Sequence, residues 1–356
     1  MSEDAVAIPP LRGTGRNSMR VAFLAPTRQG YTFFYEVTAD LMRVAARQLE
    51  IELEIVEGTL EHDTIVKRGL EIAARATRPD YVILANAMGV ASELLPAFAE
   101  ARIRTLLVVE GLGRGDQLAI GRAGCATYLG EIVPNDLEAG RLLADTLVTE
   151  ARRRGLARAD GNVHVGIVAA RQTLVDSQRF RGWQTFKDGK PDVVQSGFQY
   201  GGWEENGGRA AIKMLLTTAP KTGVLWCFND ALAMRAVGAA TEMGVKPGED
   251  VLIGGIDLLQ SALAGIVEGT IHVSVGGHIV DGVRALLLLH DHHEKGDLTV
   301  TTRTTRMEAV KVNEAERYLQ FMKKQAWRDV DFTRFSARRN PSQSRPELSL
   351  HALVFG

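Results

Sequence analysis

The sequence has few cysteines and no long apolar run. Its two cysteines, Cys125 and Cys227, lie far apart in 356 residues and lack metal-ligand spacing. This excludes a disulfide framework, and we expect both side chains to be small buried residues. No apolar run is long enough to span a bilayer, and "RALLLLH" at residues 284–290 is a buried helix turn. The formal net charge of −1 excludes a general attraction to nucleic acid or anionic lipid.

Several functional signals are also missing. The first 20 residues, "MSEDAVAIPPLRGTGRNSMR", have no charged segment followed by an apolar one, so no secretory signal is visible. Two alternatives stay open: a cytoplasmic protein, or a mature chain with a short added start. "GLGRGDQ" at residues 111–117 is not followed by a clear helix start, so we do not interpret it as a phosphate loop.

No catalytic or metal-binding group stands out. "HDHHEKGD" at residues 290–297 ends an amphipathic helical pattern, where histidines complement the helix dipole, and we prefer this to a metal site. No Ser/His/Asp or Cys/His grouping supports nucleophilic catalysis. We therefore expect no cofactor, no metal and no catalytic residues.

What the sequence does contain is a regular alternation of strand-like and helix-like segments. The strand-like runs are "RVAFLAP", "ELEIVEG", "YVILAN", "IRTLLVVE", "VHVGIVAA", "VVQSGFQ", "GVLWCFN", "VLIGGID" and "HVSVGG". The helix-like segments are residues 34–49, 63–77, 92–101, 136–154, 177–187, 206–217, 230–243, 258–268 and 279–293. Continuous apolar strands between amphipathic helices predict an α/β protein with parallel sheets covered on both faces. Ligands bind beyond the carboxyl ends of the strands in such sheets.

The pattern restarts once along the chain. "MRVAFLAPTRQG" and "NVHVGIVAARQTL" each lead a set of strand–helix units, and "YLGEIVPNDLEAGRLLADTL" joins the two sets. This predicts two similar doubly wound parallel-sheet lobes with a cleft between them, into which strand-end loops from both lobes project.

Five motifs carry a family resemblance over residues 19–312. They are "TFFYEVTADLMRVAARQL", "GEIVPNDLEAGRLLADTL", "DSQRFRGWQTF", "VLWCFNDALAMRAVGAATEMG" and "VLIGGIDLLQSALAGI". Together they resemble the type I periplasmic solute-binding proteins of the ribose- and galactose-binding kind, whose fold is shared with lactose-repressor-type effector domains. The motifs are more specific for the fold than for the ligand.

The resemblance implies two lobes joined by a three-segment hinge. We expect an N-terminal lobe of residues 19–135 and 277–299, and a C-terminal lobe of residues 136–276 and 300–312. Residues 1–18 are expected to be a flexible N-terminus. Residues 313–356 are expected to be an extension that packs on a lobe, and Phe332, Phe335 and Val354 could serve that packing.

Aromatic residues flank the predicted cleft. Phe33 and Phe34 are adjacent on a helix and cannot face the same way, so one is expected in the core and the other as an apolar plate for a sugar ring. Trp203, in "QYGGWEENGG", is expected to provide the facing plate from the second lobe. Arg28 and Gln29 precede the aromatic pair and could reach the ligand or the cleft rim.

Polar ligand contacts follow from the resemblance and from strand ends. Arg179 falls on the family's binding arginine, whereas Arg181 is expected to be solvated. Asn229 and Asp257 each end a strand in the second lobe and offer hydroxyl-binding groups, an amide and a carboxylate. Glu110 ends a strand in the first lobe, where the family often has aspartate.

Three further predictions concern residues beside these. Asp230 is expected to be the N-cap of the helix that follows Asn229. Gly276 and Gly277 stand where many family members carry a glutamine, which suggests a bulkier ligand or a different hydroxyl pattern than in ribose or galactose. His278 follows them as a helix cap or as a replacement ligand contact.

Three functions are compatible with these features. The preferred one is a periplasmic solute-binding protein that closes on a sugar-like ligand and presents it to a membrane ABC permease or a sensor kinase, without nucleic acid and without inserting into the membrane. A cytoplasmic ligand-sensing domain of a transcription regulator would need a helix-turn-helix, and residues 1–20 are too short and too rich in proline and glycine to form one. A Rossmann-type enzyme would need a glycine-rich turn that "APTRQGYTFF" lacks.

Overall fold

The computed structural model describes residues 18–26, 33–59, 61–113, 115, 127–170, 173–202, 205–295, 301–341 and 346–356. The strands are β1 (Met19–Ala25), β2 (Ile51–Glu57), β3 (Tyr81–Ala85), β4 (Arg104–Val108), β5 (Tyr128–Pro134), β6 (Val163–Ala169), β7 (Val193–Tyr200), β8 (Val224–Cys227), β9 (Leu252–Ile256), β10 (Val273–Gly276), β11 (Thr301–Thr305) and β12 (Glu308–Val310). The helices are α1 (Phe33–Gln48), α2 (His62–Ala73), α3 (Ala91–Glu100), α4 (Asp136–Arg153), α5 (Leu174–Lys187), α6 (Glu205–Thr218), α7 (Asp230–Glu242), α8 (Gln260–Glu268), α9 (Asp281–Lys295), α10 (Val312–Lys323) and α11 (Leu350–Phe355).

The first lobe is built on a sheet in the order β11-β5-β4-β3-β1-β2, and all its pairs are parallel. Alternate residues of β1 face opposite ways, as a pleated strand requires. Val21 and Phe23 belong to the core that includes α1, and Ala22 and Leu24 pack with residues of α2 and α3. This sheet is therefore covered on both faces, which explains why its central strands are continuously apolar.

The second lobe repeats this plan in the order β12-β10-β9-β8-β6-β7, with only the short β12 antiparallel to its neighbour. The neighbours of Gly254 and Gly255 in β9 show that helices cover both faces of this sheet. A Cβ on Gly254 would meet Leu143 of α4, and one on Gly255 would meet Asp230 of α7. The predicted fold of two α/β lobes on parallel-dominated sheets is confirmed.

Three segments cross between the lobes. They are residues 134–136 between β5 and α4, residues 276–278 after β10, and residues 305–308 between β11 and β12. The third crossing corrects the assignment of residues 300–312 to the second lobe, because Thr301–Thr305 pairs with β5 in the first sheet. "TTRTTRMEAVKV" is thus two short strands, one in each sheet.

Helix boundaries follow local capping. The structure starts α5 at Leu174, three residues before the predicted start, because Thr173 caps it by accepting a hydrogen bond from the Asp176 backbone at 3.1 Å. Asn135 caps α4 in the same way, through the Glu138 backbone. Cys227 is buried as expected, whereas Cys125 lies outside the described residues. No described helix combines the length and apolarity that crossing a membrane requires.

Candidate functional site

Arg179 lies at the centre of the candidate site, and its side chain is 3% exposed. Its Nε donates to Asp136 Oδ1 at 2.7 Å, and its Nη1 donates to the carbonyl oxygen of Phe228 at 2.9 Å. Its Nη2 lies 3.5 Å from Asp257 Oδ1, and the guanidinium lies over the Phe228 ring. The arginine therefore joins the start of α4 to the ends of β8 and β9, and most of its donors serve the protein.

Two glycines bring this arginine to its partner. A Cβ on Gly182 would lie 2.1 Å from the carbonyl oxygen of Leu137, and one on Gly140 would lie 2.0 Å from that of Arg179. Helices α4 and α5 therefore touch backbone to backbone where they cross, which side chains larger than hydrogen would prevent. The R-x-x-G motif is thus explained: Gly182 permits the approach that lets Arg179 reach Asp136.

Asp257 is held by an unusual backbone. Its φ is +130° and that of Leu258 is +57°, a strained pair that fixes the carboxyl group at the end of β9. Burial raises the pKa of Asp257 to about 8 against the opposing charge of Arg179, and the charge of Asp136 contributes to the rise. Near neutral pH this carboxyl group is largely protonated, so it can donate as well as accept a hydrogen bond.

The N-cap of α7 is Asn229, and the predicted cap Asp230 has a different structural role. Asn229 has extended backbone angles and caps α7, because its Oδ1 accepts a hydrogen bond from the Leu232 backbone at 3.0 Å. The N-cap assignment of Asp230 was wrong, because this residue is already helical. Its buried carboxylate accepts hydrogen bonds from Ser274 Oγ and the Leu259 backbone, each at 2.8 Å. Asn229 therefore starts α7, while Asp230 holds the strand-end loops together.

The adjacent phenylalanines diverge, as helix geometry requires. Phe34 is 9% exposed and stacks on the His278 ring with centroids 4.5 Å apart, whereas Phe33 is 64% exposed. Tyr35 packs edge-on against Phe34 with centroids 5.2 Å apart. Phe34 therefore forms the inner aromatic wall, and Phe33 lies at the surface.

Tyr35 is a site residue that the sequence analysis missed. Burial raises the pKa of its hydroxyl, and the negative charges of Glu110, Asp257 and Asp136 raise it further. The positive charge of Arg179 lowers this pKa but does not offset the rise. The phenol thus lies in the field of carboxyl groups from both lobes. The signal was available, because "TFFY" places a third aromatic directly after the predicted pair.

His278 is buried inside this arrangement, with 1% of its surface exposed. Its Nε2 lies 3.6 Å from Asp257 Oδ1, and its Nδ1 has no hydrogen-bond partner among the described residues. Burial lowers the pKa of His278 well below its usual value, and Arg179 lowers it further, so the imidazole is neutral. The cap residue of the turn at His278–Val280 is Gly277, so the geometry favours a site residue over a helix cap.

The two glycines before His278 do not enlarge the site. A Cβ on Gly276 would lie 2.6 Å from Leu258 Cγ, so a neighbouring side chain already fills that space. Gly277 has a φ of +133°, which the second hinge crossing requires and which other residues rarely adopt. The expected empty corner is therefore absent, because backbone path and packing explain these glycines, and the bulkier ligand or different hydroxyl pattern stays a prediction.

Glu110 lies where β4 ends, and it is buried at the wall of the cleft. Asn86, at the end of β3, holds Gly111, the residue after Glu110, in place. Its amide donates to the Gly111 carbonyl at 2.9 Å, and its Oδ1 accepts from the Ala91 backbone at 2.8 Å. Sequence reasoning missed Asn86, although it follows a buried strand just as Asn229 does.

A cavity of about 370 Å³ opens between the lobes beside the first hinge crossing. Its walls come from both lobes and the crossing: Val109, Glu110, Gly111, Leu112, Glu131, Val133, Pro134, Asn135, Asp136, Leu137, Leu174, Val175, Gln178 and Thr304. Glu110 and Asp136 therefore face open space. Apolar walls with a few convergent polar groups are typical of small-molecule sites.

The structure brings together five of the ten predicted ligand residues at the inner cleft: Phe34, Glu110, Arg179, Asp257 and His278. Asn229 lies beside them at the end of β8, and Phe33 lies at the surface. Arg28, Gln29 and Trp203 lie outside the described residues. Among the residues that are described, no three or more His, Cys, Asp or Glu side chains form a group that could hold a metal ion.

Known proteins share this architecture. A periplasmic sugar-binding protein from Pseudomonas fluorescens superposes with a TM-score of 0.84 at 26% identity, over 94% of this chain and 99% of that one. The binding protein of the arabinose ABC transporter from Shewanella sp. ANA-3, bound to arabinofuranose, has a TM-score of 0.73 at 18% identity, over 88% and 98% of the chains. The galactofuranose-binding protein YtfQ of Escherichia coli K12 is 21% identical over 237 residues, 65% of this chain and 69% of that one.

No protein-family model matches the chain. The structural similarity extends over nearly the full length of the compared structures. The chain has the type I periplasmic binding-protein fold, as its sequence motifs predicted.

Proposed function

We propose that this protein is a periplasmic solute-binding protein that captures a small carbohydrate or polyol by closing its two lobes. The observation that carries the proposal is the inner cleft, where Arg179, Asp257 and His278 converge beside an aromatic wall. Because these groups come from both lobes, a ligand between them would be held by both. The sugar-binding relatives support the same class of ligand.

The chemistry of the site suits a polyhydroxylated ring. Phe34 and Tyr35 offer apolar surface for its C–H groups, while Glu110 and Asp257 offer oxygens for its hydroxyls. The protonated form of Asp257 and the neutral imidazole of His278 can each donate and accept hydrogen bonds. Hydroxyl groups also donate and accept, so these partners match them.

We propose that the ligand is a furanose sugar. The Shewanella protein is described with arabinofuranose and the Escherichia coli relative as galactofuranose-binding. A further structural neighbour from Mycobacterium smegmatis, with a TM-score of 0.71 and 17% identity, holds fucofuranose. This recurrence, rather than any contact in the present site, is the support for the five-membered ring.

We propose an ABC permease as the membrane partner, because two of the relatives are components of such transporters. A sensor kinase is the second candidate partner, since signalling members of this group present the closed form to one. We propose that the protein is not an enzyme. The transcription-regulator alternative is not favoured, because the relatives are transport proteins.

The test is a thermal-shift screen of arabinose, galactose, fucose, inositol, sugar acids, amino acids and NAD. A ligand that binds only the folded state raises the melting temperature by mass action. We expect the largest rise with a neutral sugar that populates a furanose form, and calorimetry should then give one site per chain. A rise with NAD alone, and none with any sugar or polyol, would contradict the proposal.

Trp203 provides a second test of the same cleft. The other tryptophans, Trp183, Trp226 and Trp327, are buried in the structure, so a ligand should change their emission little. We expect Trp203→Phe to remove most of the fluorescence change that the sugar causes and to weaken binding. Trp327→Phe, in the C-terminal part of the chain, is the matched control and should leave the signal intact.

A further inference from the structure

The chain beyond β12 contacts both lobes. We call Val312–Gly356, apart from residues 342–345, the C-terminal strap. It leaves the second sheet at β12, and α10 packs directly on α8 of the second lobe. The side of α10 that is buried carries Tyr318, Leu319 and Met322. The strap therefore begins firmly attached to the second lobe.

The strap then continues onto the first lobe. Its two 3₁₀ turns, Ala326–Asp329 and Phe332–Phe335, pack on α1. Gln48 of α1 accepts a hydrogen bond from the Phe332 backbone at 2.7 Å and donates to the Val330 carbonyl at 2.8 Å. Trp327 is buried beside them and donates to Asp40 at 3.2 Å.

A second set of contacts holds the strap to α9 of the first lobe. Asp291 accepts hydrogen bonds from Ser336 Oγ at 2.7 Å, from the Ala337 backbone at 2.8 Å and from the Arg338 backbone at 3.1 Å. Ser336 is fully buried in this contact. One carboxylate thus fixes three consecutive residues of the strap.

The strap finally contacts the hinge and returns to the second lobe. Arg284 donates from Nε to the Leu348 carbonyl at 2.9 Å and from Nη1 to Thr305 Oγ1 at 2.7 Å. Thr305 also donates to Asp281 at 2.7 Å, so the residues flanking the second and third crossings are bonded together and to the strap. Beyond this point, Phe355 of α11 packs edge-on against Tyr318 of α10.

We infer that the C-terminal strap restrains the rotation of the two lobes, so that the ligand-free protein samples a narrower range of openings than its three hinge crossings alone would allow. A rotation that parts the lobes must pull the strap away from α1 and α9 or from α8. The attachment to α8 is a buried packing contact and the attachments to α1 and α9 are hydrogen-bonded at several points, so the strap resists the movement from both ends.

The experiment measures the distance between the lobes without any ligand. Lys67 on α2 and Thr217 on α6 are each replaced by cysteine to carry a nitroxide label, and Cys125→Ser and Cys227→Ala remove the native thiols. Double electron–electron resonance then measures the distance between the two labels. The variant Gln48→Ala with Asp291→Ala removes five side-chain hydrogen bonds that hold the strap to α1 and α9. Gln184→Ala with Asp188→Ala changes two exposed residues of the same types in the second lobe and is the matched control.

We expect a narrow distance distribution in the wild type and the control, and a distribution at least twice as wide in the strap variant. Adding Asp40→Ala to this variant, which also removes the hydrogen bond from Trp327, should give a still wider one. The same width in the wild type and in either folded strap variant overturns the inference. Because no sugar is added, this outcome is distinct from a failure of the sugar-binding proposal.

Discussion

His278 and Asp257 face each other across the cleft from different lobes, with 3.6 Å between His278 Nε2 and Asp257 Oδ1. Asp257 ends β9 of the second lobe, and His278 follows the second hinge crossing into the first. Burial lowers the pKa of the imidazole and raises that of the carboxyl group, so the pair favours a neutral contact over an ion pair. Any rotation of the lobes changes this distance.

Replacing His278 by alanine should weaken sugar binding at least tenfold. The change removes the ring that stacks on Phe34 and should also lower the free energy of unfolding by about 1–3 kcal/mol. Calorimetric titration and urea unfolding measure the two effects. His351→Ala is the matched control, because His351 also stacks on a phenylalanine, Phe355, but lies in the C-terminal strap. Equal affinities in the two variants would exclude His278 from ligand binding.

Replacing Arg179 by alanine should abolish binding and also destabilise the protein. The sequence analysis predicts Arg179 as a ligand contact only. The structure adds a structural role, because the substitution leaves the Asp136 carboxylate buried without the guanidinium that lies 2.7 Å from it. Loss of one partner from a buried ion pair costs about 3–5 kcal/mol.

Urea unfolding near neutral pH measures the effect of Arg179→Ala. Arg181→Ala is the control, since Arg181 is exposed two residues away on the same helix and should change stability by less than about 0.5 kcal/mol. If both variants unfold at the same urea concentration, Arg179 contributes nothing as a structural ion pair and acts on ligand alone.

Strand ends were the part of the site that the sequence revealed well. Glu110 and Asp257 were identified because each follows a short apolar run, and the carboxyl ends of parallel strands meet at one edge of a sheet. Asp136 was missed because its role depends on Arg179, 43 residues away. That contact depends on how α4 and α5 cross. The pattern of apolar residues within either helix carries no information about this crossing.

The errors arose where a local pattern admitted two geometries. Asn229 and Asp230 are both good N-cap residues, and one residue of register decides which caps the helix and which points into the core. Thr301–Thr305 lies next to β12 in sequence but pairs with β5, because strand pairing is settled by the whole sheet. Gly276 was interpreted as open space because the side chain of Leu258 that fills it is 18 residues away.

The buried acid Asp230 should make stability depend on pH. Burial raises its pKa from 3.8 to about 7, against the hydrogen bonds that it accepts from the Leu259 backbone and Ser274. Between these two values the folded protein binds more protons than the unfolded chain, so the contribution of Asp230 to stability falls as the pH rises. The slope for one such group is at most about 1.4 kcal/mol per pH unit.

The measurement is the free energy of unfolding at intervals from pH 4.5 to pH 8 for the wild type and Asp230→Asn. Other buried acids contribute to both curves, so the difference between the curves isolates Asp230. We expect the stability of the variant relative to the wild type to rise with pH up to about 7 and then level off. Asp188→Asn, at an exposed position, should give a constant difference, and the same flat result for Asp230→Asn would contradict the assignment.

Substitution of Gly182 tests how the fold positions the site residues, because Gly182 itself contacts no ligand-binding group. An alanine there would place its Cβ 2.1 Å from the Leu137 carbonyl oxygen, so α4 and α5 must separate and Arg179 must move from Asp136. We expect Gly182→Ala to lower the free energy of unfolding by about 1–3 kcal/mol or more and to weaken sugar binding. Gly207→Ala is the matched control within another helix, since no atom of the described residues lies within 4 Å of its added methyl group. That variant should gain roughly 0.5–1 kcal/mol from the lower conformational entropy of its unfolded chain and bind sugar normally. Normal binding by a folded Gly182→Ala protein would show that the Arg179–Asp136 contact is not needed to form the site.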